Sequence, residues 1–191
     1  MDSMTDINSI LEYLHKKQTA KRFQHTLGVA YTATAMAMQF DEDIKSAEIA
    51  GLLHDCAKYM DDTKSLNYCK KHNLHSTEVE RRNPFLLHGK IGAHMAKERF
   101  GVGDEDIINA IRNHTTGRPR MSPLEKIIFI ADYIEPSRKI QPNLNELRKL
   151  AFKDLDETLV WILKDTLMYL TAKGGEIDPM TKQTYDYYCT K

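Results

Sequence analysis

The chain has 191 residues, 41% of them hydrophobic and 28% charged, the balance of a soluble globular protein with one real core and not of a disordered segment. Lys plus Arg and Asp plus Glu number 27 each, so no polyanionic nucleic-acid partner is expected, and any anionic ligand must be caught by a local basic cluster. The longest apolar runs, such as Ile127 to Ala131, are far too short to cross a bilayer, and the opening MDSMTDINSI lacks the basic start and apolar core of a signal peptide, so a cytoplasmic location is expected.

Helical periodicity runs from end to end. Ile7, Ile10, Leu11 and Leu14 recur at i, i+3, i+4 and i+7, which makes the first helix amphipathic. A second helix is predicted from about Ala20 to Gln39, with Phe23, Leu27, Ala30 and Thr34 on one side. A third runs from Asp43 to Lys58. Thr77 with Glu80 forms a capping box, and Asn83-Pro84 ends that short element. His88 to Phe100 is a helix closed by Gly101, and Asp104 caps the next, with Ile107, Ile108 and Ile111 inward. The stretch MSPLEKIIFIADYIEP has Ser122 at the N-cap, Pro123 at N1 and Glu125 at N3, and Pro136 stops it. Two more helices are expected after Gln141-Pro142-Asn143, the last through Trp161 to Lys173 and closed by Gly174-Gly175. No strand alternation or Asn-Gly hairpin is visible. The expected fold is all-α, a bundle of about nine or ten helices in a single domain over 1–191, with C-terminal helices over 143–174 and a tail over 175–191. The tail's tyrosines (Tyr185, Tyr187, Tyr188) either pack back or meet another subunit, which leaves a homodimer open.

Cys56, Cys69 and Cys189 are odd in number and scattered, which argues against a disulfide framework or a thiolate zinc site and suits a reducing compartment. The eight histidines are more informative. His25 lies in the first turns of the second helix, His54-Asp55 near the end of the third, His88 opens a helix, His114 closes one, and Asp132 sits in the apolar run IIFIADYI. Taken singly, each such residue is more often a hydrogen-bonded core or cap residue than a ligand. Together they offer neutral imidazole and carboxylate, the donors that zinc, iron and manganese accept. His25, His54, Asp55 and Asp132 would serve one metal, which leaves His88 and His114 for a second close by, with the two oxygens of Asp55 bridging. Helical neighbours differ by about 100° in direction, so His54 and Asp55 would flank the metals from two sides. His15, His72, His75 and His94 are expected to be structural or exposed.

The ordered set His25, His54-Asp55, His88, His114 and Asp132 resembles the HD-domain metal-dependent phosphohydrolase superfamily. The strings AGLLHDCAK, LLHGKIGAHMA, AIRNHTTGRPRMSPLEKIIFIADYIEPSR and LRKLAFKDLD are similar to the bacterial HD-domain symmetrical bis(5′-nucleosyl)-tetraphosphatases, a likeness that covers about Lys21 to Leu170. The resemblance implies an HD-domain helical bundle with its metal-site core over about 20–140. It also implies a dinuclear centre, usually of iron, and cleavage of diadenosine tetraphosphate to two molecules of ADP. Carried over by motif, His25, His54 and Asp132 would hold one metal, His88 and His114 the other, and Asp55 would bridge. Glu125 stands where Asp is more usual and reads as a helix-cap residue.

For a polyphosphate ester, two metals would yield hydroxide near neutral pH and neutralise the attacked phosphoryl group, with Asp55 bridging and orienting the water. Lys58, one helical turn beyond His54 and on the same face, is the expected catalytic and phosphate-binding cation. Thr115, Thr116, the Gly117 backbone and Arg118 follow His114, and Arg138 follows the helix of Asp132; all are expected phosphate contacts. A solvated surface role is about equally common for any one such Lys or Arg, and Arg81-Arg82 is left as surface. The competing functions are hydrolysis of another nucleotide, oxygen activation at a di-iron centre, and a non-catalytic nucleotide-binding module. The rank of basic residues weighs against the second, and the complete ligand set against the third.

Overall fold

The computed structural model describes residues 6–138 and 143–190. The break expected at Gln141-Pro142 lies outside the described residues. Within them run α1 (Ile7–Lys17), α2 (Ala20–Gln39), α3 (Ile44–Leu53), α4 (Asp62–Lys71) and α5 (Glu78–Arg82). A 3-10 turn (Pro84–Leu87) leads into α6 (His88–Phe100), followed by α7 (Glu105–Asn113), α8 (Pro123–Ile134), α9 (Leu144–Ala151), α10 (Leu155–Ala172) and α11 (Pro179–Cys189). The all-α class holds, with no strand among the described residues, and no helix is long and apolar enough to cross a membrane.

The local signals act as expected at most helix ends. Asp104 and Ser122 each accept an amide of the first turn, and both capping boxes, Thr77 with Glu80 and Ser122 with Glu125, are complete; Thr19 and Asp43, not singled out from the sequence, cap α2 and α3 in the same way. Gly101 closes α6 at φ 66°, a left-handed conformation that favours glycine.

Two expectations need correction. Among the described residues there are eleven α-helices, against the nine or ten read from sequence, because α4 and α11 were not legible. Both bury small or polar side chains: Ser65 and Cys69 in α4, and Thr181, Thr184 and Tyr188 in α11. The tail therefore packs back on its own chain, where the Tyr188 hydroxyl accepts the Met121 amide at 2.7 Å. The third helix ends at Leu53, short of Lys58. His54 Nδ1 donates to the Gly51 carbonyl at 2.7 Å, taking the acceptor that the Asp55 amide would use if the α-helix continued. Tight i→i−3 turns follow, Cys56 to Leu53, Lys58 to Asp55 and Met60 to Ala57.

The core places this turn at the centre of the molecule. α2 packs on α3 and α8, and α7 lies against α6, α3 and α8. A Cβ at Gly51 would fall 2.7 Å from the Ala30 Cα, so the absence of a side chain there sets how closely α2 and α3 approach. On α8, Ile127, Ile128, Ile130 and Ala131 are fully buried, each isoleucine contributing about 1.5–3 kcal/mol. Asp132 thus projects from a helix whose other faces are packed into the core.

Candidate metal centre

The six residues expected as ligands converge. Asp55 faces two pairs of imidazoles with its two oxygens: Oδ2 lies 3.5 Å from His54 Nε2 and 3.9 Å from His25 Nε2, and Oδ1 lies 3.3 Å from His88 Nε2 and 3.5 Å from His114 Nε2. Asp132 Oδ1 completes the first group, 3.1 Å from His25 Nε2 and 3.9 Å from His54 Nε2. The four histidines and Asp55 are buried, while the Asp132 side chain is a quarter exposed, so the cluster opens to solvent on its side.

How the sequence delivers these side chains is local. His54, His88 and His114 each donate Nδ1–H to the carbonyl three residues earlier, of Gly51, Phe85 and Ile111, at 2.7, 2.6 and 2.8 Å. That fold-back is available where a helix ends or begins, and it fixes the tautomer with Nε2 bare and pointing inward. His25, inside α2, has no free carbonyl in reach, and its Nδ1 meets Glu135 Oε1 at 3.0 Å instead.

The arrangement makes chemical sense with cations in it. Among the described residues, buried His25 Nε2, His54 Nε2 and Asp55 Oδ1 have no hydrogen-bond partner. His88 Nε2 and His114 Nε2 stand 3.0 Å apart with both Nδ1 protons engaged elsewhere, so two lone pairs face each other. Buried polar atoms left this way cost kcal/mol each, and a shared metal relieves the cost. Among the described residues, three groups each bring their donor atoms within 4.8 Å of one another: His25, His54 and Asp55; His54, His114 and Asp132; and Asp55, His88 and His114. Imidazole nitrogen with carboxylate oxygen suits zinc, iron and manganese alike.

The electrostatics agree. Burial works to raise the Asp55 pKa, but His54, His114 and His88 around it hold the carboxyl well below the usual range. Asp132 is held down in the same way against burial, chiefly by the His25 ring beside it. Burial, with His114 and Lys58 beside it, pushes His88 down to about 3, which keeps the imidazole neutral and able to ligate. Glu135 is 1% exposed; burial opposes its charge, but the Ser137 hydroxyl and His25 keep its carboxyl ionised.

The expected phosphate contacts divide into two sets. Lys58 lies at the cluster, its Nζ 3.1 Å from His88 Nε2 and 3.9 Å from Asp55 Oδ1, delivered by the turn and not by a helix face. Arg138 reaches Asp132 Oδ1 at 2.7 Å, and the Thr115 hydroxyl stands 3.2 Å from His88 Nε2. Arg118 instead forms a two-pronged pair with fully buried Glu125, at 2.7 and 2.6 Å. Gly117, at φ +64°, packs under Thr184 of α11, and the Thr116 hydroxyl bonds the Gly117 carbonyl. Two contributors escaped the sequence reading: Arg22, whose Nη1 reaches Asp55 Oδ2 at 2.7 Å, and Glu135 behind His25. Their only signal was spacing, three residues before His25 and three after Asp132. His72 and His94 stack with Tyr68 away from the cluster, as expected of structural histidines.

A family model described as HD domain matches residues 22–137. A Bacillus subtilis protein named bis(5'-nucleosyl)-tetraphosphatase, symmetrical, is 41% identical over 179 residues, 93% of this chain and 94% of its own length. A protein of the same name from Halalkalibacterium halodurans is 39% identical, covering 92% and 93%. A crystal structure of a predicted HD superfamily hydrolase involved in NAD metabolism, from Clostridium acetobutylicum, superposes with a TM-score of 0.94 at 41% identity, over 98% of this chain and 99% of that one. From the family match across the cluster and the near end-to-end likeness to these relatives, it follows that the chain belongs to the HD domain family.

Proposed function

We propose that this chain is a metal-dependent phosphohydrolase that cleaves diadenosine tetraphosphate symmetrically into two molecules of ADP. The observation that carries the proposal is the inward convergence of four bare Nε2 atoms on the two oxygens of Asp55, with the partly exposed side chains of Lys58 and Arg138 at the edge. The names of the relatives supply the substrate class. His25, His54 and Asp132 would hold one metal, His88 and His114 the other, and Asp55 would touch both. When bound there, such ions, most simply iron with manganese or zinc also accepted by these donors, supply Lewis-acid polarisation of a phosphoryl oxygen and ionise water near neutral pH.

The chain's own groups do the rest. Lys58 and Arg138, with side chains about a third exposed, offer charge to the tetraphosphate where it meets the cluster. Burial pulls the Lys58 pKa down, while Asp55 and Asp132 oppose the shift. The Thr115 hydroxyl, beside both His88 and His114, is placed to bond a phosphoryl oxygen. Asp55, buried and ionised, keeps one oxygen toward each histidine pair. Water adds at one of the two inner phosphorus atoms, the oxygen bridging them departs with its electron pair, and each half leaves as ADP.

The same cations weigh against an oxygen-activating function, which has no need of them. A nucleotide substrate and three free cysteines both suit a cytoplasmic setting. Metal-loaded protein incubated with diadenosine tetraphosphate should give ADP alone by chromatography. ATP plus AMP would refute symmetric cleavage, and no turnover with two metals bound would favour a binding module.

A further inference from the structure

We infer that the two metal positions are unequal and load in order, and that Glu135 is the positioning residue that makes the His25, His54 and Asp132 position the tighter one. The inference rests on the dinuclear reading above, but not on any particular substrate.

The donors differ in number. The first position gathers His25, His54, Asp132 and Asp55 Oδ2, and the second gathers His88, His114 and Asp55 Oδ1. The support behind the donors also differs. His54, His88 and His114 lean on neutral backbone carbonyls, whereas His25 donates Nδ1–H to a carboxylate, which makes its Nε2 a stronger base and fixes the ring. Local charge points the same way. Asp132 and Glu135 both serve the first position, while the Lys58 ammonium stands 3.1 Å from His88 Nε2 at the second. Arg22 and Arg138 offset part of this at the first position, through Asp55 and Asp132, but both side chains are more than a third exposed and are screened by water.

Glu135 is built into its place. Its carboxylate accepts from the Ser137 amide at 2.6 Å and from the Ser137 hydroxyl, and its carbonyl is held by Arg148 Nη2 at 2.9 Å. Room for it is reserved on α2: a Cβ at Gly28 would fall 2.6 Å from Glu135 Oε2. Gly28→Ala therefore displaces the carboxylate without changing its charge, a second handle independent of Glu135→Gln.

The test is equilibrium dialysis of metal-stripped, folded protein against graded manganese, with metal per chain measured by elemental analysis. The unaltered chain should fill in two steps, and His114→Ala should keep the tighter one. Glu135→Gln and Gly28→Ala should each weaken the tighter step roughly 10–100-fold and leave the weaker step in place. Circular dichroism reports that each variant is folded, and Gly28→Ala serves if Glu135→Gln is not. A single step filling both positions together, an unchanged tighter step in these variants, or loss confined to the weaker step would overturn the inference. Absence of any manganese binding would instead remove the dinuclear reading beneath it, and neither outcome depends on whether diadenosine tetraphosphate is cleaved.

Discussion

Arg118 separates a role expected from sequence from the one its contacts favour. Adjacent to a ligand loop, it reads as a phosphate contact, yet both of its prongs are committed to Glu125, which is fully buried. Removing one partner of a buried pair costs about 3–5 kcal/mol because the remaining charge is stranded, while exposed pairs are worth under about 1 kcal/mol. Here the Arg118 side chain is 36% exposed, and Glu125 keeps the Asn113 amide at 2.8 Å and the Ser122 amide at 2.8 Å, so an intermediate cost of about 2 kcal/mol is expected for Arg118→Ala. For a chain of this size that lowers Tm by roughly 4–8 °C. Adding Glu125→Gln to Arg118→Ala removes the stranded charge and should recover about half of the loss. The assay is thermal melting of the single and double variants, with KM for diadenosine tetraphosphate measured well below Tm. A KM raised tenfold or more with Tm unmoved would refute the reasoning and return Arg118 to the phosphate.

Lys58→Ala should retain its metal, since Lys58 is not a donor, and lower kcat/KM by about 10–100-fold, the worth of one charge-assisted contact to phosphate; steady-state kinetics with elemental analysis checks both parts. Metal-free protein should lose stability in mild acid. His88 titrates near 3 in the fold and near the ordinary 6.5 when unfolded, so between these values the unfolded chain binds more protons and stability falls as pH falls. The slope approaches about 1.4 kcal/mol per pH unit, or about 2 kcal/mol between pH 7 and 5. Melting curves of stripped protein should show this fall, and His88→Asn should flatten it.

Much of the fold was legible because its helix ends carry explicit chemistry. Ser122, Pro123 and Glu125 define the start of α8, and Gly101 the end of α6, without help from packing. What was hidden follows from burial without apolar periodicity. α4 and α11 turn Ser65, Thr181 and Thr184 inward, so no aliphatic stripe marks them. The third helix was read too long because His54, Asp55, Cys56 and Ala57 stay buried after the backbone leaves the helix at Leu53, and composition tracks burial more closely than backbone geometry. The six converging residues were legible because ionisable groups in apolar or helix-end settings need partners. Glu135 and Arg22 were not, since each meets a candidate ligand across the fold, with Glu135 110 positions from His25 and Arg22 33 from Asp55.

The proposed dinuclear centre is tested most directly by elemental analysis of freshly purified protein beside Asp55→Ala. Two equivalents of transition metal per chain, iron foremost, are expected in the unaltered protein, with at most one in a folded Asp55→Ala variant that no longer cleaves diadenosine tetraphosphate. Metal-free active protein, or an Asp55→Ala variant that keeps both equivalents and full turnover, would contradict it.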